Sequence, residues 1–273
     1  MIKKINNKPV GSVIRWFGGK HYQADGIISL FPEHHCYVEP FSGGAHVMMQ
    51  KQPVPSKVEV YNDIDTDLVN FLMILRENKD KMIEALVTLP TSRHLCMKWQ
   101  CEPLPSDPFE RAVRWFYLLR QTIVPANNVK SGWRANRVKN TAIDYQNVLQ
   151  RLTAFELRFR KIMIECLDFR ECILRYDTPK TMFYVDPPYV HREGLYKGGF
   201  TENDHIDLSK ILKNVSGKVL LSYYADPLIL ELYKGWRIHT VQAHVGGVLK
   251  VGQNKKVETE YYFMNYDPPS CLW

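Results

Sequence analysis

The run "CYVEPFSGGAHVMMQK" (Cys36–Lys51), followed by "KVEVYNDIDTDLVNFLMILREN" (Lys57–Asn78), decides the fold. "CYVEPF" is a short β-prone stretch that stops at Ser42-Gly43-Gly44-Ala45, and "HVMMQK" opens like a helix. "KVEVYN" alternates with a period of two and reads as a second strand. Behind Asp65, a candidate cap, Leu68, Phe71, Leu72 and Leu75 recur at helical spacing. Strand, glycine turn, helix, strand, acid, helix is a βαβ unit, so the chain is predicted to be α/β with a parallel sheet.

Working outward, "LPTSRHLCMKWQCEPLPSDPF" breaks periodicity with prolines and polar residues and reads as a boundary or excursion. "PFERAVRWFYLLRQ" then predicts a helix, "PANNVKSGWRANRVKN" a long polar loop, and "IDYQNVLQRLTAFELRFR" one further helix leading into the β-prone "KIMIECLD". Sheet signals resume in "TMFYVDPPY" and "KVLLSYY", with the amphipathic "ENDHIDLSKILKNV" between them. "RIHTVQAH" and "TEYYFMNY" fit a closing antiparallel pair. The expected organisation is a catalytic α/β domain over residues 1–76 and 154–273, interrupted by a mainly helical basic insertion over 77–153.

A 45% apolar and 24% charged composition is that of an ordinary soluble globular protein. No apolar run reaches the length of a membrane span, and "MIKKINNKPVGSV" lacks the apolar core of a signal peptide, so a cytoplasmic location is expected. The cysteines form no Cys-x-x-Cys pair and suit free thiols better than a metal site; no metal is expected. The net charge of +7 is unevenly spread: Arg111 to Ile143 holds no acid but holds Arg111, Arg114, Arg120, Lys130, Arg134, Arg137 and Lys139, with Trp115, Phe116, Tyr117 and Trp133 among them. Basic and aromatic groups of this kind suit phosphates and bases, and equally suit a solvated face over a helix core.

Two stretches carry chemistry. Glycines after a strand let the backbone approach a ligand and aim the next helix at it. Phe41-x-Gly43-x-Ala45 is neither the dinucleotide fingerprint nor a Walker loop, but Asp63, twenty positions after Gly43, stands where an acid accepts from ribose hydroxyls. A nucleoside-containing cofactor is the reading; a purely structural turn is the alternative. In "MFYVDPPYV" (Met182–Val190), Asp186 can accept from an amino group, and Pro187 has a carbonyl but no N–H. The Pro187-Pro188 corner fixes both acceptors, and Tyr189 supplies a ring for a flat substrate. The bland reading is a stiff turn with an N-capping aspartate.

Taken in order, Arg15-Trp16-Phe17-Gly18-Gly19-Lys20, Val38-Glu39-Pro40-Phe41-Ser42-Gly43-Gly44-Ala45, "VYNDID", Asp186-Pro187-Pro188-Tyr189, "KVLLSYYAD" and "KKVETEYYFMNY" resemble the motif series of the Dam-type DNA adenine-N6 methyltransferases. The resemblance implies a Rossmann-like sheet and S-adenosyl-L-methionine as cofactor. The cofactor would be held by Glu39, Phe41, Gly43, Ala45, Asp63, Asp186 and the aromatic Phe200, with Trp16 and Lys20 at its methionine end. It implies that Asp186, Pro187, Pro188 and Tyr189 receive an adenine extruded from double-stranded DNA, whose exocyclic amine attacks the sulfonium methyl directly. A monomer or weak dimer, from a bacterium or a phage, is expected.

The insertion departs from the family. Enzymes reading GATC carry an Asn-Gly-Leu-type stretch and an Asn-Val-Pro-Phe-Gly-type hairpin; "RQTIVPANNVKSGWRANRVKN" matches neither, so that specificity is not carried over. Arg114, Arg120, Lys130, Arg134, Asn136, Arg137 and Lys139 are the candidate DNA contacts. The same pocket on cytosine N4, RNA or a protein amide is one alternative, and a catalytically silent DNA-binding regulator is another.

Overall fold

The computed structural model describes residues 9–53, 55–123, 130–244 and 257–269. Seven strands form one sheet: β1 (Cys36–Glu39), β2 (Val58–Asn62), β3 (Met163–Glu165), β4 (Thr181–Val185), β5 (Lys218–Tyr224), β6 (Arg237–His244) and β7 (Val257–Met264). Their order is β3-β2-β1-β4-β5-β7-β6. The first five run parallel; β7 lies antiparallel between β5 and β6. This is the expected α/β sheet with its closing antiparallel pair.

The central strands are buried on both faces, as parallel strands between helix layers must be. In β4, Met182 and Tyr184 enter one apolar cluster, while Phe183 and Val185 enter the other. The second cluster is covered by the helices Phe169–Tyr176, Glu202–Asn214 and Pro227–Leu232. The first is larger. It joins Tyr37 and Tyr61 of the sheet to Leu68 and Phe71 of the helix Thr66–Glu77, and onward to Phe116 and Tyr117 of the helix Pro108–Gln121. Phe71 stacks on Phe116 with ring centroids 4.8 Å apart, so the basic segment shares its core with the sheet's covering helices. Trp115, Phe116 and Tyr117 are core residues.

Two local expectations are corrected. The proline-rich stretch after Leu89 contains a helix, Arg93–Cys101, in which Ser92 caps Leu95 N–H at 3.3 Å and Cys96 is buried. Its prolines bound the helix rather than break it. The single helix expected over 143–160 is two, Thr141–Leu149 and Leu152–Phe159. Arg151, between them, sends its guanidinium to the carbonyls of Gly11 (2.6 Å) and Ser12 (3.1 Å).

Order reverses between β1 and β4, because β1 continues outward through β2 and β4 through β5. Ligands of open α/β sheets bind in the crevice beyond the carboxyl ends at such a point. The loops after β1, β2 and β4 meet there.

Candidate active site

The turn after β1 is held from several sides. Gly43 N–H donates to Asp63 Oδ2 (2.8 Å), and Tyr61 Oη–H donates to the Gly43 carbonyl (2.9 Å). Ser42 Oγ–H donates to the Glu39 carbonyl (2.8 Å) and accepts from Asn62 N–H (3.1 Å). Gly43 takes φ +46° against the edge of Trp16: a Cβ there would lie 2.4 Å from Trp16 Nε1. Neither the backbone conformation nor the space suits another residue. Burial pushes the Asp63 carboxyl up to about 7, although two backbone N–H groups favour its charge.

Two linked hollows share Phe41. One is lined by Pro40, Phe41, Asp63, Asp168, Phe169 and Phe200. Its three phenylalanines stand with centroids 5.3 to 5.8 Å apart, an apolar slot with carboxylates at its rim. The other is lined by Trp16, Gly19, Lys20, Glu39, Gly43, His46, Asp186 and Tyr189. There burial, with repulsion from Asp186 and Glu59, pushes the Glu39 carboxyl up to about 8, against the help of the Tyr37 hydroxyl at 2.7 Å. Burial, then His21, Lys20 and Arg151, pushes His46 down to about 4, and its Nδ1 is buried with no protein partner.

Beyond β4 the Asp-Pro-Pro-Tyr corner closes this hollow. Lys20 Nζ reaches both oxygens of Asp186, at 2.8 and 2.7 Å, and lies 3.4 Å from Glu260 Oε1. Burial alone would discharge Lys20, but the carboxylates of Asp186 and Glu260 outweigh it and hold its pKa raised. Tyr189 Oη lies 3.0 Å from Asp186 Oδ1, 2.9 Å from Glu260 Oε1 and 2.8 Å from Ser222 Oγ. Burial raises the Asp186 carboxyl above its usual range against the pull of Lys20.

The family model of the D12 class N6 adenine-specific DNA methyltransferases matches residues 16–246. The chain belongs to that family. D12 methyltransferases transfer methyl groups to adenine N6 in DNA, and methyltransferases in general draw the methyl from S-adenosylmethionine. Among the relatives, a type II methyltransferase, M1.LlaDCHI, of Lactococcus lactis subsp. cremoris is 27% identical over 286 residues, covering 96% of this chain and 97% of its own. A DNA adenine methylase of Salmonella typhimurium is 24% identical, covering 90% of this chain and 92% of its own. A type II methyltransferase, M.CviBI, of Paramecium bursaria Chlorella virus NC1A is 23% identical, covering 84% and 88%.

The residues present fit the cofactor of a D12 methyltransferase. The phenylalanine slot suits an adenine ring, Asp63 keeps lone pairs for hydroxyls, and the hollow beside it holds Glu39 and an unpartnered His46 nitrogen for polar groups. Trp16, Glu39, Phe41, Gly43, Asp63, Asp186 and Phe200 all line one hollow or the other, and Ala45 turns the chain at φ 51° into the helix His46–Gln50. Lys20 lines the same hollow as Trp16, and its ammonium is engaged by Asp186, Glu260 and the Gly18 carbonyl (3.1 Å).

The basic segment of this D12 chain divides in two. Arg114 is buried and donates to the carbonyls of Trp99 (2.7 Å) and Glu102 (3.1 Å), so it ties helix ends together. Arg120 is largely buried against the Val13 carbonyl (3.4 Å), and Arg134 pairs with Asp144 (2.9 Å). Lys130, Asn136, Arg137 and Lys139 are exposed. Asn136 Oδ1 accepts from Val138 N–H (2.8 Å) and Lys139 N–H (3.1 Å), which spends that oxygen on the turn. Residues 124–129, part of the stretch compared with GATC-reading enzymes, lie outside the described residues. Sequence reasoning missed Glu260, Ser222, His46, Asp168 and Phe169 as site residues.

Proposed function

We propose that this D12 methyltransferase binds S-adenosyl-L-methionine across the two hollows and methylates an adenine flipped out of double-stranded DNA. The cofactor supplies an electrophilic methyl on a sulfonium. Asp186 and the Pro187 carbonyl accept from the exocyclic amine, which draws its nitrogen lone pair out of conjugation with the ring. The rigid Pro187-Pro188 corner keeps both acceptors in place before the substrate arrives. Tyr189 walls the base pocket, and Phe41 and Phe200 clasp the cofactor's adenine. Residues 77–153 form the recognition segment. The observation that carries the reading is Asp186 at the carboxyl end of β4, beside the glycine turn of β1.

The test is transfer of labelled methyl from S-adenosylmethionine to adenine-unmethylated bacterial genomic DNA, with N6-methyladenine read by mass spectrometry. Asp186→Ala should lower kcat by about 10²–10³-fold, with DNA affinity retained. Label on cytosine N4 or RNA instead, or full activity in Asp186→Ala, would sink the assignment.

The DNA-contact reading narrows to Lys130, Arg137 and Lys139. Replacing Arg137 and Lys139 together by alanine should weaken DNA binding and flatten its salt dependence by about one unit of slope per lost phosphate contact. Arg114→Ala should cost stability, seen as a lower melting temperature, and leave the salt slope unchanged. The reverse pattern would move the DNA face elsewhere.

A further inference from the structure

We infer that Glu260 is a positioning residue for methyl transfer: by drawing the Tyr189 hydroxyl proton and part of the Lys20 charge toward itself, it strengthens Asp186 as the acceptor of the target amine. The inference rests on the reading of Asp186 given above.

Glu260 lies in β7, opposite Tyr224 of β5, and is 1% exposed. A carboxylate buried this deeply in a strand is costly unless it is engaged. Its engagement is specific. Ser222 Oγ–H donates to Oε1, Tyr189 Oη lies 2.9 Å from the same oxygen, and Lys20 Nζ lies 3.4 Å from it. Gln23 Nε2 approaches Oε2 at 3.4 Å.

Asp186 Oδ1 is reached by two donors, Lys20 at 2.8 Å and Tyr189 at 3.0 Å, and Oδ2 by Lys20 at 2.7 Å. Every donor on a carboxylate weakens it toward the next one. Tyr189 has a single proton and cannot give it to Asp186 and Glu260 together. When the proton turns to Glu260, a lone pair of Asp186 Oδ1 is released toward the hollow where the amine must sit. Lys20, lying between two carboxylates, neutralises Asp186 less completely than it would a lone partner. The Tyr189 ring is meanwhile pinned by its hydroxyl at the back of the site, so its orientation is set before a base arrives.

The test uses the full chain, tritiated S-adenosylmethionine and adenine-unmethylated genomic DNA, with cofactor affinity measured separately by calorimetry. Glu260→Gln keeps the shape and removes the charge. It should lower kcat about tenfold or more while the cofactor Kd changes less than about threefold. In a Tyr189→Phe background, which has no hydroxyl proton to place, the added penalty of Glu260→Gln should shrink to roughly threefold or less. An unchanged kcat in the single variant, or an equal penalty in both backgrounds, overturns the inference. If Glu260→Gln does not fold, Glu260→Asp serves: it keeps the charge but withdraws it from Tyr189 Oη, so kcat should fall about fivefold or more with the cofactor Kd little changed, and an unchanged kcat overturns the inference. Asp186→Asn, run alongside, separates the two levels. Retained transfer there refutes the site reading itself, whereas its loss beside an unaffected Glu260→Gln refutes the Glu260 role alone.

Discussion

Lys20→Met should destabilise the protein by roughly 3–5 kcal/mol at pH 8 and lower methyl transfer by at least about 10²-fold. Lys20 is 5% exposed and stands between the carboxylates of Asp186 and Glu260. Removing it leaves the buried Glu260 facing the partly buried Asp186, with Tyr189, Ser222 and Gln23 as the remaining compensating groups among the described residues. The direction with pH follows. Protonation of Asp186, whose carboxyl burial already raises, relieves the repulsion, so the variant's deficit should shrink as pH falls from 8 toward 5. Urea denaturation at the two pH values is the measurement. A deficit below about 1 kcal/mol at both would mean that Lys20 does not hold the carboxylates together.

Glu39→Gln should give the opposite sign for stability and a loss in cofactor binding. Without ligand the Glu39 carboxyl titrates near 8 rather than its ordinary 4.5, so it keeps its proton at neutral pH. An acid whose folded pKa is raised costs folding free energy as pH climbs from the unfolded value through the folded one. Up to roughly 3–5 kcal/mol of that cost is reached near pH 9, and glutamine escapes it. The melting temperature of Glu39→Gln should therefore match the wild type near pH 5 and exceed it increasingly up to pH 9. A cationic ligand near Glu39 favours its charged form. Wild-type S-adenosylmethionine binding should release a proton and tighten with pH up to about 8, by at most about tenfold per unit. In Glu39→Gln both the pH slope and the proton release should vanish. A wild-type affinity that is flat with pH would show that Glu39 does not face the cofactor's charge.

Local pattern carried the sheet well. Each strand from β1 to β7 falls on a stretch whose alternation or apolar run is readable, because both faces of a central strand must be apolar and helices flank it. Asp63, Gly43 and Asp186 were legible for a related reason. Residues at the carboxyl ends of parallel strands converge by topology, so placing the strands places the residues. Glu260 was not legible as part of the site. It sits in a strand that reads only as alternating, and nothing before the antiparallel pairing of β7 with β5 says that it faces Ser222 and Tyr189. His46 and Phe169 were obscured in the same way, as helix-opening residues whose neighbours come from elsewhere in the chain. Arg114 is ambiguous in sequence for a different reason. A guanidinium on a basic helix looks alike in sequence whether it meets phosphate or the carbonyls at the end of the helix Arg93–Cys101. The helix Arg93–Cys101 itself was hidden by prolines that frame it.

The placement of β7 between β5 and β6 has a consequence for the newly made chain. The proposed cofactor crevice draws on β1, β2 and β4, all of which precede Glu260 in the chain and leave the ribosome before it. An emerging chain could thus shape a place for its methyl donor while Lys20 and Tyr189 still wait for their second carboxylate. Only when the last hairpin threads in beside β5 is the amine-binding corner set.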